Sequence, residues 1–329
     1  MRTIVVSRFG GPEVLSLVER PRPEPSRHEV RVRVRAAGVN RADIVQRLGR
    51  YPAPSDAPSD VLGLEFAGEV EALGAGATSW KVGDRVFGLV GGGAYAEALV
   101  THERLLAAIP DGMSFTDAAA TPEAFITAYD AMTVQGKLAM GETVLIHAAG
   151  SGVGTAAIQL ARLSGARSIG TARQADKLER ARELGLDQGI AVTGSSFAFA
   201  KEVMRLTAGR GAHVVLELVG GEYLREDLGC IASEGRIILV GLMAGASVTL
   251  DLGTVLRQRV LLRGTMLRSR PLEQKLDAMQ GFARHVVPLL ANGALRPIVD
   301  RVLPLAEAAA AHSCVESNQS FGKVVLDCG

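Results

Sequence analysis

The feature that most constrains this fold is a glycine-rich turn between a short apolar run and a helical pattern, in VLIHAAGSGVGTAAIQLAR (144–162). The glycines fit no single three-glycine frame: the pattern is Ala-x-Ser-x-x-Gly from Ala149 and Gly-x-Gly-x-x-Ala from Gly152. A strand, a glycine turn and a helix with small residues facing the sheet are typical of a dinucleotide-binding βαβ unit. Its backbone N–H groups would face a pyrophosphate, at Ser151, Gly152, Val153 and Gly154. The alternative is a tight turn without a ligand.

From about Thr121 the pattern changes, and apolar runs typical of strands alternate with helical patterns. The apolar runs are TVLIH, RSIGT, GIAV, AHVVLELV, RIILVGL and VLLRGTM, with helical patterns between most of them. This order predicts a doubly wound parallel sheet of the Rossmann type. The helix in DKLERARELG is predicted to begin at an Asp176 N-cap and to end at Gly185. Another helical pattern runs from Pro271 to about Leu290.

The first third of the chain is predicted to be rich in β-strands. EVRVRVRAAGVN alternates valine with arginine, which is typical of a half-buried strand. The last residues read as a strand, a helix and a strand, which are too short to fold alone. We therefore predict a β-rich domain of residues 1–122 completed by 292–329, and a nucleotide-binding domain of residues 123–291.

Composition excludes several classes of function. The 329 residues carry a net charge of +1 and 4% aromatic residues, which disfavours a nucleic-acid or membrane-surface partner. No run of about 18 apolar residues is present, so no membrane span is expected. The 3 cysteines are far apart, which fits a reducing cytoplasm rather than a disulfide framework.

The second strand ends in GTARQADK, where NAD-selective sites usually place an acid that binds the ribose 2′-OH. This chain has Thr171, Arg173 and Gln174 there, with Lys177 one turn later. An arginine binds a 2′-phosphate, which an acid would repel. We therefore predict NADPH as the cofactor. The alternative is that Arg173 and Lys177 are ordinary surface charges.

The whole chain resembles the medium-chain dehydrogenase/reductase superfamily, and within it the zinc-free quinone oxidoreductases related to zeta-crystallin. It is especially similar to the tumour-suppressor-induced branch. The matching segments are AAGVNRADIVQRLGRYP, LGLEFAGEV, GDRVFGL, PEAFITAYDAM, AAGSGVGTAAIQLAR, GLMAG and GKVVL. The resemblance implies an α/β fold, with a GroES-like β-rich catalytic domain and a Rossmann domain. It also explains the glycine turn, because this group typically reads Ala-x-x-Gly-Val-Gly.

The resemblance also bears on zinc. Zinc alcohol dehydrogenases of the superfamily have a cysteine ligand in the segment matching AAGVNRAD and a histidine in the segment matching LGLEFAG. This chain has Asn40 and Leu64 there, and no cysteine precedes Cys230. Neither asparagine nor leucine supplies a thiolate or an imidazole, so a metal-free site is expected. His147 is expected to pack or to form hydrogen bonds rather than to act in catalysis.

By the same resemblance, Asn40, Asp43, Arg47 and Tyr51 surround the active site. Asn40 is similar to a residue that holds the nicotinamide ribose or the acceptor. Tyr51 donates a hydrogen bond to a quinone oxygen or merely covers the pocket, and both remain open. Asp43 and Arg47 are four residues apart, so an intrahelical pair is as plausible as a role in substrate binding.

The resemblance also implies further cofactor contacts. These are Thr127 near the nicotinamide, the segments after the fifth and sixth strands, and two residues of the C-terminal segment: Gly241, Leu242, Met243, Gly264, Thr265, Met266, Asn318 and Lys323. Val192 stands where relatives often have a tyrosine, and Glu217 where they commonly have an aspartate. Neither departure suggests a function.

The resulting function is an NADPH-dependent reductase of quinones or related α,β-unsaturated carbonyl compounds. The alternatives are an enoyl-thioester reductase and a non-enzymatic NADPH-binding protein. The resemblance further implies a homodimer that forms around RVLLRGTM, at the edge of the Rossmann sheet.

Overall fold

The computed structural model describes residues 1–193 and 198–329 of the chain. Contacts divide these residues into two compact units. Unit 1 contains Met1–Ile126 and Leu267–Gly329, and unit 2 contains Thr127–Met266. The predicted α/β class, with a β-rich part and a parallel sheet, is confirmed. Within the described residues, no helix is long and apolar enough to cross a membrane.

Unit 1 is built mainly on antiparallel strands, with one parallel pair, β14 and β15; elements are numbered in chain order. Its strands are β1 (Arg2–Val6), β2 (Leu15–Glu19), β3 (Glu29–Val39), β4 (Glu65–Leu73), β5 (Arg85–Leu89), β6 (Ala98–His102), β7 (Leu106–Ala108), β14 (Val299–Pro304) and β15 (Lys323–Asp327). Its helices are α1 (Arg41–Arg47), α2 (Phe115–Ala119), α9 (Leu272–His285), α10 (Val287–Ala291) and α11 (Ala308–Glu316). The main sheet has the order β14-β15-β3-β4-β5-β7, with β6 paired to β3.

The central strand β3 follows the valine–arginine alternation of its sequence. Val30, Val32 and Val34 are buried in the core of unit 1, while Arg31 and Arg33 form ion pairs with Glu71 and Glu69 on β4. The C-terminal strand β15 pairs antiparallel with β3. The last segment therefore completes the β-rich unit, as the sequence predicted.

The second boundary between the units differs from the predicted one at residues 291 and 292. Helix α9 packs on β7 and on the turn before it. Its fully buried Phe282 lies edge-on to Phe87 of β5, with ring centroids 5.7 Å apart. Residues 267–291 therefore belong to unit 1 rather than to the nucleotide-binding unit. The predicted long helix after Pro271 is divided in two, because a new helix begins at Val287 with Pro288 in its first turn.

Unit 2 is a parallel sheet with helices. Its strands are β8 (Thr143–Ile146), β9 (Arg167–Ala172), β10 (Gln188–Ala191), β11 (Ala212–Glu217), β12 (Ile231–Leu239) and β13 (Leu261–Gly264). Its helices are α4 (Gly152–Leu163), α5 (Ala175–Arg182), α6 (Ala200–Leu206), α7 (Glu222–Cys230) and α8 (Leu252–Gln258); α3 (Pro122–Tyr129) begins in unit 1 and continues into a π-helical turn, Asp130–Gln135. Within the described residues the order is β10-β9-β8-β11-β12-β13. The reversal of strand order beside β8 is the switch point at which such sheets bind nucleotides.

Helix α4 begins as its sequence predicts, and α5 does not. Ser151 is the N-cap of α4, and its side chain accepts a hydrogen bond from the Gly154 N–H. The predicted Asp176 cap of α5 is wrong, because the N-cap is Gln174 and Asp176 lies in the first turn. An acid in the first turn still stabilises the helix through its dipole.

Candidate functional site

The glycine turn in unit 2 uses two of the four predicted N–H groups within itself. The Ser151 N–H donates to the Ala148 carbonyl at 2.8 Å, and the Gly154 N–H donates to Ser151 Oγ at 3.0 Å. Gly154 is required for space, since a Cβ there would lie 2.4 Å from the Ala148 oxygen. Ser151 and Gly154 therefore shape the turn rather than offer their N–H groups to a phosphate.

The N–H groups of Gly152 and Val153 remain for a ligand. Among residues 1–193 and 198–329, neither has an acceptor, and both residues are partly exposed. They lie in the first turn of α4, where the helix dipole favours an anion. The turn therefore offers two converging N–H donors to a phosphate group.

The end of β9 presents one of the predicted side chains to solvent. Arg173 is exposed and Lys177 is half-buried in the first turn of α5. Thr171 differs from the prediction, because it is buried and its hydroxyl contacts His147 Nδ1 at 2.8 Å. Thr171 therefore supports the end of the strand, while Arg173 and Lys177 remain the candidates for a 2′-phosphate.

The segment after β12 lies against the turn after β11. The carbonyl of Glu217 accepts hydrogen bonds from Val240 N at 2.8 Å and Gly241 N at 3.2 Å. A Cβ on Gly241 would lie 2.3 Å from the Leu218 oxygen, so the two backbones approach too closely for another residue. Leu242 and Met243 are each 52% exposed. They present apolar surface at the end of the sheet, where the sequence places the nicotinamide.

The segment after β13 is held to the π-helical turn. Thr265 Oγ1 donates to Asp130 Oδ2 at 3.2 Å, and Asp130 is buried. Gly264 and Met266 are exposed beside it, and Thr127 is buried near the end of α3. The Asp130 carboxylate therefore holds Thr265 in place, and the cofactor contacts of this region stay a prediction.

A buried group of metal-ligand types lies below these loops. Within the described residues, the group that could hold an ion consists of His147, Glu217 and Asp227, with ligand atoms within 4.8 Å of one another. His147 Nε2 lies 2.8 Å from Asp227 Oδ1. This is the distance of a hydrogen bond, which leaves no lone pair on that nitrogen for a metal.

In unit 1, the predicted residue Asn40 belongs to a buried polar cluster. Its Nδ2 donates to Glu65 Oε1 at 2.9 Å, and its Oδ1 accepts from Lys323 Nζ. Lys323 also donates to the Val39 carbonyl at 2.9 Å and forms an ion pair with Glu65. The ammonium has three N–H groups, and all three have protein acceptors. Lys323 therefore fixes Asn40 instead of reaching a cofactor, in contrast to its predicted role.

Asp43 and Arg47 are both buried and do not pair with each other. Asp43 accepts hydrogen bonds from the backbone of Asn40 at 2.8 Å and Gly63 at 3.1 Å, and from the Tyr95 hydroxyl at 3.0 Å. Burial raises its pKa to about 6. The intrahelical pair, which was one of the two alternatives for these residues, is therefore not formed. Asp43 holds the start of α1 through a capping box with Asn40 instead of facing an acceptor.

Arg47 binds the C-terminal helix α11. Its guanidinium contacts His312 Nδ1 at 3.1 Å, donates to Glu316 at 2.6 Å and donates to the Gly10 carbonyl at 3.0 Å. Burial, followed by the Arg47 charge, lowers the pKa of His312 to about 3, so this imidazole is neutral. Arg47 therefore fastens α1 to α11 and is a structural residue, not a catalytic one.

Tyr51 is half-buried beneath a cation that the sequence did not reveal. Arg268 Cζ lies 5.0 Å from the centroid of the Tyr51 ring. Arg268 donates to the Gly91 carbonyl at 2.7 Å and to Gln46 Oε1 at 2.6 Å. Its Nη1 is buried without a partner among the described residues. An unsatisfied buried N–H of a guanidinium is unusual, and it marks this place as one where an oxygen of a ligand or a water would be bound.

Glu123 adds a titratable group beside Tyr51. Burial, followed by the charge of Glu65, raises the pKa of the Glu123 carboxyl to about 7. Its backbone N–H donates to Glu65 Oε2 at 2.7 Å, and its charge contributes to a raised pKa of Tyr51. No sequence motif indicated Arg268 or Glu123, because their burial results from segments that are distant along the chain.

Two further positions of unit 1 that the sequence analysis named are Leu64 and Asn318. Leu64 is buried and offers no ligand atom. Asn318 accepts from Arg41 Nη2 at 2.6 Å and donates to the Glu316 carbonyl at 2.8 Å. Its amide is thus engaged with neighbouring segments of unit 1.

Comparison with known proteins gives a consistent relationship. Residues 26–111 match the alcohol dehydrogenase GroES-like domain, and residues 152–282 match the zinc-binding dehydrogenase family. The chain is 36% identical to a quinone oxidoreductase of Pseudomonas aeruginosa, over 99% of both chains. It is 39% identical to part of erythronolide synthase EryA2 of Saccharopolyspora erythraea, over 91% of this chain and 8% of that protein. The structure of Escherichia coli quinone oxidoreductase complexed with NADPH has 29% identity and a TM-score of 0.90, over 100% of both chains.

Proposed function

Because this chain is an oxidoreductase of the medium-chain dehydrogenase/reductase superfamily, in its quinone oxidoreductase group, we propose that it reduces quinones or related α,β-unsaturated carbonyl compounds with NADPH. The observation that carries this proposal is the buried cation of Arg268 over the Tyr51 ring. It combines the unpartnered Arg268 Nη1 with a tyrosine hydroxyl. Relatives with quinone oxidoreductase names agree with it.

Two features of unit 2 support NADPH as the cofactor. Gly152 and Val153 offer N–H donors to the pyrophosphate, and the exposed Arg173 is available for the 2′-phosphate. A guanidinium binds phosphate through two parallel hydrogen bonds, which favours NADPH over NADH. The bound cofactor supplies the hydride, and the protein supplies binding and orientation.

The residues of unit 1 at the predicted zinc-ligand positions do not fit a catalytic zinc ion. Asn40 and Leu64 occupy the positions of the cysteine and histidine ligands, and Asn40 is already bound to Glu65 and Lys323. Without a Lewis acid, hydrogen-bond donors must stabilise the oxygen that gains negative charge. We assign this task to the Tyr51 hydroxyl and to Arg268 Nη1. Quinones and enones need the least such help, because the charge they gain is delocalised.

A proton must also reach the reduced product. The carboxyl of Glu123, with its pKa of about 7, can hold or release a proton at neutral pH. The charge of Glu123 raises the pKa of Tyr51, so the two groups are close enough to interact electrostatically. We therefore include Glu123 in the proposed site as a proton reservoir for Tyr51.

An enoyl-thioester reductase is the second candidate. The similarity to part of a polyketide synthase, 39% over 298 residues, favours it. Both reactions add a hydride to an activated double bond, so the same donors would serve either. The two functions differ in the length of the acceptor rather than in the chemistry.

One assay separates the candidates. NADPH oxidation is followed with 1,4-benzoquinone, 9,10-phenanthrenequinone and crotonyl thioester in parallel, before and after treatment with a chelator. We expect turnover with both quinones that the chelator leaves unchanged. Faster turnover with the thioester would favour the second candidate. NADPH binding without turnover would make the chain a binding protein, and a stoichiometric zinc ion required for activity would contradict the metal-free proposal.

A further inference from the structure

A buried polar group of unit 2 links three strand ends that are far apart in sequence. It is called here the His147 network and consists of His147, Thr171, Glu217 and Asp227, all of which are buried. His147 Nδ1 lies 2.8 Å from Thr171 Oγ1, and its Nε2 lies 2.8 Å from Asp227 Oδ1. The imidazole thus joins the end of β8 to the end of β9 and to α7.

Glu217 continues this chain of contacts. Its Oε1 accepts from Val219 N and from Gly220 N, the latter at 2.9 Å. Its Oε2 and Asp227 Oδ2 have no N–H or O–H donor among the described residues. A carboxyl oxygen of Glu217 and one of Asp227 lie within 4.8 Å of each other. A proton on one of the two carboxyl groups would let it donate to the other and give both oxygens a partner.

The protons in the network can be assigned from its neighbours. Burial lowers the pKa of His147, so the imidazole is neutral, accepts from the Thr171 hydroxyl and donates to Asp227. Burial raises the pKa of Glu217 and that of Asp227, each to about 7. Two buried carboxylates close together cannot both be ionised at low cost, so the pair holds one proton. We place it between Glu217 Oε2 and Asp227 Oδ2, the two carboxyl oxygens of the network that have no other donor among the described residues.

The residues packed around the His147 network do not change this assignment of protons. The rings of Phe199 on α6 and Tyr223 on α7 each lie 4.9 Å from the His147 ring and exclude water. Burial raises the pKa of Tyr223 to about 12 and that of Cys230 well above its usual value, so both are neutral. Two charged groups outside the network have smaller electrostatic effects. The charge of Glu226 raises the pKa of Asp227, and the charge of Arg173 lowers the pKa of Tyr223.

The backbone around the network carries the predicted cofactor loops. His147 directly precedes the glycine turn, and Ala149 N donates to the Thr171 carbonyl at 2.9 Å. The Glu217 carbonyl accepts from Gly241 N, and Ala244 N donates to the Val219 carbonyl at 2.7 Å. Both the glycine turn and the segment after β12 are therefore held by hydrogen bonds to residues of the network or to their immediate neighbours.

We propose that the His147 network positions the residues that bind the dinucleotide. One proton shared by Glu217 and Asp227 holds the glycine turn and the segment after β12 in their relative positions. This proposal rests on the proposed function, because it assigns those loops to NADPH. None of the four side chains touches the cofactor. They act through the backbone that they hold.

The shared proton is tested without any cofactor. Infrared spectroscopy at pH 7 on the full chain should show a protonated carboxylic acid band that disappears in Glu217→Gln. Elemental analysis of the same protein should show no stoichiometric divalent ion that Glu217→Gln removes. An unchanged band, or such an ion at the network, would overturn the shared proton. This result stands whether or not NADPH binds.

The positioning role is tested by NADPH titration and kinetics. Glutamine can donate to Asp227 and accept from Val219 and Gly220, so Glu217→Gln should keep the Kd for NADPH within about twofold. Glu217→Ala leaves buried groups unpaired and should raise the Kd and KM for NADPH about tenfold, with little change in kcat at saturating NADPH. Glu183→Ala, at an exposed glutamate of the same unit, is the matched control.

The outcomes separate this proposal from the proposed function. A lower melting temperature in Glu217→Ala with an unchanged NADPH Kd would overturn positioning and leave a purely structural network. If Glu217→Ala does not fold, Glu217→Gln decides: a tenfold loss of NADPH affinity there overturns the proposal. If the wild-type protein does not bind NADPH at all, the proposed function fails, while the infrared result still decides the shared proton.

Discussion

The guanidinium of Arg268 lies over the ring of Tyr51, with Cζ 5.0 Å from the ring centroid. Two of its nitrogens are fixed by Gly91 and Gln46. The cation therefore holds the tyrosine ring in place while Nη1 remains without a partner among the described residues. This relationship is the basis of the proposed acceptor site, and it leads to the first prediction.

Tyr51→Phe should lower kcat/KM for quinones about two- to tenfold, which is the effect of one neutral hydrogen bond. The ring and its contact with Arg268 are kept in this variant, so the Kd for NADPH should stay the same. Steady-state kinetics with 9,10-phenanthrenequinone measures the change. An unchanged kcat/KM would mean that Tyr51 only covers the pocket.

The double variant Arg173→Ala, Lys177→Ala should raise KM for NADPH about 10- to 100-fold, because charge-assisted hydrogen bonds to the 2′-phosphate are lost. KM for NADH should change little, since NADH lacks that phosphate. Arg205→Ala, an exposed arginine of α6 in the same unit, is the control. Equal increases for both cofactors would contradict the assignment of NADPH.

Lys323→Met should destabilise the protein by about 3–5 kcal/mol, because it leaves the buried Glu65 carboxylate without its cation. Urea unfolding followed by circular dichroism measures the loss. The exposed Lys201→Met should lie within about 0.5 kcal/mol of the wild type. A small loss for Lys323→Met, together with weaker NADPH binding, would restore the predicted role of Lys323 at the cofactor.

Stability should depend on pH through Glu217. Its pKa is raised on folding from 4.5 to about 7, so between these values the folded state keeps a proton that the unfolded state has released. Stability from this group therefore falls as pH rises through that window, by at most about 1.4 kcal/mol per pH unit. Glu217→Gln removes this pH-dependent contribution. The stability of the variant relative to the wild type should therefore increase from pH 4.5 to 7.

Thermal unfolding of both proteins across this range tests the sign. Glu183→Gln serves as the control and should follow the wild type at every pH, since Glu183 is exposed. A constant difference between Glu217→Gln and the wild type would show that Glu217 is ionised in the folded protein.

The predicted homodimer is expected to use the β13 edge. All residues of β13 are exposed, and Leu261 and Leu262 are 42% and 45% exposed. Leu252 and Leu256, one turn apart on α8, are 70% and 78% exposed. An open strand edge with apolar neighbours favours association.

The double variant Leu256→Glu, Leu261→Glu should therefore convert a dimer to a monomer, as measured by light scattering. Met140→Glu, at another exposed apolar residue, should not change the oligomeric state. A monomeric wild type would contradict this prediction.

Much of the architecture follows from local patterns. The valine–arginine alternation predicted β3, the apolar runs predicted the parallel strands, and the small residues of 152–163 predicted a helix against a sheet. The cap of α5 and the limits of unit 1 were wrong for a different reason. Gln174 rather than Asp176 begins α5, and α9 joins unit 1 through Phe282, which is a choice of packing partner that periodicity does not contain.

The sequence by itself determined the fold class and the glycine turn, because each depends on residue type at a fixed spacing. The expectation of a site without zinc came from the family resemblance at Asn40 and Leu64, and it stays a prediction. Only the tertiary structure decided which polar groups are free to act. Asp43, Arg47, Thr171 and Lys323 had the chemistry of site residues, yet their hydrogen bonds are made within the protein. Arg268 and Glu217 carried no motif, and they gained importance because burial left one of their atoms without an ordinary partner. Desolvation and pairing depend on segments distant along the chain, so they emerge only when the chain is folded.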